Sequence, residues 1–293
     1  MEIFNKVVVS LDFKAEEEQA KIDHAIAMAK AHGDISFTLL SIVPEVIADP
    51  EKTITPAEKQ QEVLYMQAFE KLRKIASLFP VPAKVSCVVE AGVPSAEIVK
   101  QVLKEQHDLL LISTKKQKTV KNHFLGGTST ELMRQCPCPI WAVKPGAGEE
   151  VKMMIGMHFD EKVEDHNDTL NHELLKVAGA VADSSTSEMH LVTVVKDINS
   201  ELSKQRTTEL ERLRNDISDP TYEVTPVILE GNPTVKLPEY AAQKSIDLLI
   251  MGMLSRSGIK GFFIGNTAEK IIDDMDCSVL VVKPKEFVSQ IKI

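Results

Sequence analysis

At 293 residues, with 43% hydrophobic and 26% charged residues, the chain has the composition of a soluble globular protein and the length for two domains with full cores. A formal net charge of −9, with no basic run to offset it, excludes nonspecific nucleic-acid binding, which needs basic patches. No apolar run approaches the length of a membrane span, so none is expected.

The opening Met1-Glu2-Ile3-Phe4-Asn5-Lys6 lacks the basic-then-apolar pattern of a secretory leader. Four cysteines in a chain this size do not make a disulfide framework. Cys136-Pro137-Cys138 has neither the spacing of a Cys-x-x-Cys redox pair nor that of a zinc knuckle, so buried or idle thiols in a reducing cytoplasm are the expectation.

Lys6 to Leu11 is a near-continuous apolar run ending at Asp12, the pattern of a parallel strand buried on both faces. Ile22, Ala25, Ile26 and Ala29 recur at helical spacing, and Gly33 supplies a stop. Ile35 to Val43 reads as a second strand. Tyr65, Phe69, Leu72 and Ala76 mark an amphipathic helix, and Ala83 to Val89 a third strand. Pro94 opens a helix through Ile98 and Val102 before a fourth strand at Leu109 to Ile112. A fifth runs from Pro139 to Val143.

The same unit then returns. His107-Asp108-Leu109-Leu110-Leu111-Ile112 maps onto Ile246-Asp247-Leu248-Leu249-Ile250-Met251 at an offset of 139. That offset also carries Gly92-Val93-Pro94-Ser95 onto Gly231-Asn232-Pro233-Thr234, Gly126 onto Gly265, Thr128 onto Thr267, and Val143-Lys144-Pro145 onto Val282-Lys283-Pro284. The second copy opens at Lys152 to Met157, has a helix carrying Leu170, Leu174, Val177, Ala178 and Val181, a strand at Met189 to Val195, and a helix holding Leu202, Leu210, Leu213 and Ile217. Gly146 to Glu150 has linker composition. A tandem duplication is therefore expected, with domains at 1–145 and 146–293. Alternating strands and helices predict an α/β fold of two doubly wound, parallel, five-stranded sheets with right-handed crossovers.

The second copy's last loop carries the strongest local signal. After Leu248 to Met251 come Gly252, Ser255, Arg256, Gly258, Gly261 and Gly265, and then Asn266 and Thr267 at a helix start. Glycines let backbone approach a ligand, and a helix N-terminus presents unpaired N–H groups, so a phosphate suits such a loop. Neither a Walker A sequence nor a short Gly-x-Gly-x-x-Gly turn is present. The stretch resembles the C-terminal part of the universal stress protein family, whose nucleotide-binding members carry Gly-x2-Gly-x9-Gly-Ser/Thr after the fourth strand. Gly252 takes the first position, Ser255 replaces the second glycine, Gly265-Asn266 fills the last pair, and Thr267 stands one place late. Cys277 to Pro284 extends the likeness. Gly265 to Glu269 and Cys136 to Trp141 bring it nearest to the tandem, bacterial E-type members.

That resemblance implies an adenine nucleotide alpha hydrolase-like fold in each copy, with the fifth strands paired antiparallel as an internal pseudo-dimer. It implies an aspartate at the end of the first strand holding the adenosine end. Asp12 keeps this in copy one, and His158 replaces it in copy two. It also implies an adenine pocket lined by Val194 and Met251. Copy one retains Gly126-Gly127-Thr128 but reads Ser113-Thr114-Lys115-Lys116 where the glycine motif should begin, so ATP or a related adenine nucleotide is expected in copy two. A serine at 255 takes positive φ at a cost of roughly 1 kcal/mol. Arg256 is placed to meet a phosphate. His158 and Asp160, in a segment also holding Asp165, His166, Asp168 and His172, are the residues to hold Mg²⁺ or Zn²⁺ if any do. Three functions stay open: a nucleotide-binding stress sensor or adaptor, a weak metal-assisted ATP hydrolase, and a binder of another small molecule or of protein partners. A further homodimer also stays open.

Overall fold

The computed structural model describes residues 4–13, 18–47, 55–113, 126–145, 151–159, 166–182, 186–217, 222–253 and 266–292. In chain order the first half contributes β1 (Lys6–Ser10), α1 (Glu18–Ala31), β2 (Ser36–Val43), α2 (Thr55–Ala76), β3 (Lys84–Ala91), α3 (Pro94–Glu105), β4 (Leu109–Ser113), α4 (Gly127–Gln135) and β5 (Ile140–Val143). The second half contributes β6 (Val151–Gly156), α5 (His166–Val181), β7 (Thr186–Val195), α6 (Glu201–Asp216), β8 (Glu223–Glu230), α7 (Pro233–Lys244), β9 (Leu248–Gly252), α8 (Asn266–Asp274) and β10 (Ser278–Val282).

The strands form one sheet in the order β3-β2-β1-β4-β5-β10-β9-β6-β7-β8. Every neighbouring pair is parallel except β5 and β10, which run antiparallel with Ala142 opposite Val279, Trp141 opposite Leu280 and Ile140 opposite Val281. The two expected five-stranded sheets are thus continuous through their fifth strands. Burial follows position. The inner strands β4 and β10 are apolar except for a terminal serine, half-buried Ser113 in β4 and buried Ser278 in β10, and are otherwise buried, as a sheet covered on both faces requires. The edge strands β3 and β8 are half-buried and carry polar residues, and β8 tolerates Pro226 because an edge strand has one side without a ladder partner.

Residues alternate between the faces. Val7 and Val9 join a core with α1, α2, α5 and α6, whereas Val8 joins a core with α3, α4, α7 and α8. In α2 the inward stripe runs through Ala68 and Leu72, one turn apart, and Phe69, expected on the apolar face, is 42% exposed. Leu72 and Ala76 of the expected face do meet the core, and Phe69 lies on its flank.

The duplication extends to capping geometry. Gln106 and Ser245, 139 residues apart, both end their helices in the left-handed conformation, with φ of 56° and 54°. Asp108 accepts the backbone N–H groups of Asn5 (2.7 Å) and Lys6 (2.9 Å), and Asp247 accepts that of Lys152 (3.0 Å). Each carboxylate thereby ties the strand after its helix to the opening strand of its half. Across the middle, Arg134 of α4 grips Glu269 of α8 through Nε (2.8 Å) and Nη2 (2.6 Å).

Candidate functional site

In a doubly wound sheet the ligand crevice opens beyond the C-terminal strand ends where the winding reverses. Here that reversal falls between β1 and β4 in the first half and between β6 and β9 in the second.

The first crevice is crossed by the protein's own charges. Lys21 on α1 lies in the buried stripe with Ala25 and Ala29 and is 2% exposed. Its ammonium donates to the Ser10 carbonyl at the end of β1 and to the Glu18 carboxylate at 3.3 Å. Glu18 also accepts the Asp12 backbone N–H (3.1 Å) and the Ser113 hydroxyl at the end of β4 (3.3 Å). Burial pushes the Lys21 ammonium below and the Glu18 carboxyl above their ordinary ranges, and their mutual attraction opposes both shifts. Both strand ends are therefore bridged by one network. Asp12 itself is exposed just beyond β1, and Gly126, at the N-cap of α4, has φ −78° and ψ 169°, ordinary extended backbone.

The second crevice carries no such pair among the described residues. Leu170 of α5 packs on Gly252, where an added Cβ would meet Leu170 Cδ2 at 2.6 Å and make that side chain shift. Asn171, 2% exposed, donates to the His158 carbonyl (3.0 Å) and accepts its N–H (3.4 Å), fixing the backbone just past β6. The His158 side chain is exposed. Met251, 7% exposed, and half-buried Val194 lie together on the face covered by α7 and α8. Asn266 and Thr267 form the exposed first residues of α8. The structure thus places Asp12 in one crevice and His158, Met251, Gly252, Asn266 and Thr267 around the other. Ser255, Arg256, Gly258, Gly265 and Asp160 lie outside the described residues.

Sequence reasoning missed Glu18, Lys21 and Asn171, and placed Leu170 only on the apolar stripe of its helix. A lysine one turn before Ala25 on an apolar stripe was the available sign. The Mg²⁺ or Zn²⁺ expectation at His158 and Asp160 gains no support: among the described residues no three His, Cys, Asp or Glu side chains converge as a metal would require. Nor, among those residues, is any helix long and apolar enough to cross a membrane.

Two copies of a βα unit wound 3-2-1-4-5, joined edge to edge through their fifth strands, define a tandem doubly wound α/β protein of the universal stress type. The profile of the Universal stress protein family matches residues 4–144 and 165–283, and the chain belongs to that family. It is 24% identical to Universal stress protein E of Photorhabdus laumondii over 324 residues, covering 99% of this chain and 98% of that one. It is 26% identical to Universal stress protein E of Escherichia coli K12 over 68% of both chains. Among solved structures, a putative universal stress protein from Pseudomonas aeruginosa superposes with a TM-score of 0.66 at 19% identity, over 97% of this chain and 94% of that one. The chain is a tandem member similar to the E-type proteins.

Proposed function

We propose that this protein, taken as domains 1–145 and 146–293, is a cytoplasmic stress-response sensor or adaptor that binds one adenine nucleotide, ATP or a relative, in its second half. The contrast between the two crevices carries the reading. The first is spanned by the Lys21–Glu18 network, which would have to be broken and resolvated to admit a ligand. The second presents Met251 and Val194 as an apolar wall for a base, and the start of α8 as a site for phosphate. On this reading Gly252, Ser255, Arg256, Gly258, Gly265, Asn266 and Thr267 form the phosphate side, with His158 at the adenosine end, and Asp12 marks the abandoned site.

Calorimetric titration with ATP tests this. One equivalent per chain is expected, with binding abolished in Gly265→Leu while the circular dichroism spectrum is unchanged. Two equivalents, or full affinity in the variant, would sink the assignment. A non-nucleotide ligand is the second reading. It draws on Leu170 and Asn171, which bring α5 close against the β6 and β9 ends and narrow the crevice.

A further inference from the structure

The two faces of the central strand pair are covered unequally. On one face α4 and α8 meet over β5 and β10 and are clamped by Arg134 and Glu269. On the other, α1 and α5 stand apart and leave a cleft of about 720 Å³. The sequence explains the gap: the facing positions are Ala27 and Ala31 on α1 and Gly179 and Ala180 on α5, and a Cβ built at Gly179 would meet nothing within 4 Å. The floor is apolar, formed by Trp141, Met153 and Leu248. This volume lies within the range of small-molecule sites, roughly 300–1,000 Å³.

A second observation points to an occupant. Trp141 is 7% exposed, and its indole Nε1, buried, has no hydrogen-bond acceptor among the described residues; its ring meets that of His24 edge-on at 4.1 Å. A buried donor without an acceptor is costly, and a ligand bringing one would recover that cost. Charge sets the kind of acceptor. Asp23 and Asp247 line the cleft, with His24 and His32, and the cation at its edge, Lys144, is already held by the Asp276 carbonyl (2.6 Å) and carboxylate. An anionic head would face two carboxylates with no uncommitted ammonium among these groups. We infer that the α1–α5 cleft binds a neutral, mainly apolar small molecule whose carbonyl or ester oxygen accepts from Trp141. None of the proposed nucleotide residues lines the cleft, so the inference stands independently of that site.

Trp141 is the chain's single tryptophan, so its fluorescence reports on this cleft alone. The intact protein would be titrated with methyl 11-bromoundecanoate, whose bromine quenches indole on contact. Saturable quenching at one equivalent per chain is expected, with half-saturation raised at least tenfold by Gly179→Leu and, from the opposite wall, by Ala27→Leu. The corresponding free carboxylate should bind at least tenfold more weakly. Thermal melts would verify that both variants fold; were one to fail, the other carries the comparison. Quenching that rises linearly and equally in wild type and variants would overturn the proposal, as would preference for the carboxylate. So would a concentration-dependent dimer in sedimentation that Gly179→Leu dissociates, which would make a second chain the occupant.

Discussion

Lys21 and Glu18 show how a single buried pair can convert a binding crevice into a structural joint. Both groups lose hydration, and backbone and hydroxyl partners compensate them in part: Lys21 donates to the Ser10 carbonyl, and Glu18 accepts from the Asp12 N–H and the Ser113 hydroxyl. Such a pair is weakly stabilising as a whole and strongly destabilising when halved. Lys21→Met is therefore expected to lower the unfolding free energy by about 3 kcal/mol, because Glu18 is left buried against an apolar neighbour. Adding Glu18→Leu should restore most of that loss, as read from urea midpoints. Equal losses in the single and double variants would show that packing, not charge, dominates the site. The sequence displayed Lys21 only as a polar residue on an apolar stripe. Ser113, which donates to Glu18, lies 95 residues beyond it, a separation that no local pattern spans.

At the scale of elements, periodicity and the repeat disclosed most of the architecture. The offset of 139 that aligned Gly92 with Gly231 also aligns the left-handed caps Gln106 and Ser245 and the strand-tying carboxylates Asp108 and Asp247. Where only the pattern of apolar residues was available, as in α2, Leu72 and Ala76 met the core but Phe69 did not, since an aromatic can satisfy a helical spacing from the flank of a face. The glycines divide in the same way. Gly252 has the Leu170 side chain packed against it, whereas Gly92 and Gly231 adopt φ of +141° and +127°, which side chains disfavour. Gly92→Ala and Gly231→Ala should each cost about 1–2 kcal/mol, by nearly the same amount in the two halves. Chemical denaturation would check the symmetry. A large loss at one glycine alone would mean that the duplicated turns have diverged in their constraints.

At the scale of the whole molecule, the halves are held together by the β5–β10 ladder and by lysines that reach across it. Lys144, after β5, bonds Asp276 in the second half, while Lys283, after β10, donates to the Cys136 carbonyl in the first. The repeat of Val-Lys-Pro was legible, but the crossing was not, because strand pairing between copies decides which half each lysine meets. Lys283 is 8% exposed, and burial lowers its pKa to about 8 from 10.5, against the attraction of the neighbouring cysteines. Below pH 8 the native protein therefore bears the full cost of a buried ammonium. Above it the native state releases the proton while the unfolded chain keeps it up to about pH 10.5. The unfolded state then binds more protons, so unfolding free energy rises with pH across that window, by up to about 3 kcal/mol in total. Burial raises the Cys277 thiol to about 12 from 9.0, which acts in the opposite sense above pH 9, where the unfolded thiol ionises first. Between pH 8 and 9 the lysine acts in concert with the Cys136 thiol, which, against the cost of burial, the Cys138 hydrogen bond and the Lys283 charge hold below its ordinary value. Urea midpoints should climb there by the equivalent of about 1 kcal/mol in wild type and stay level in Lys283→Met. A parallel climb in the variant would remove Lys283 as its source and leave the crossing contact as a hydrogen bond without titrating consequence.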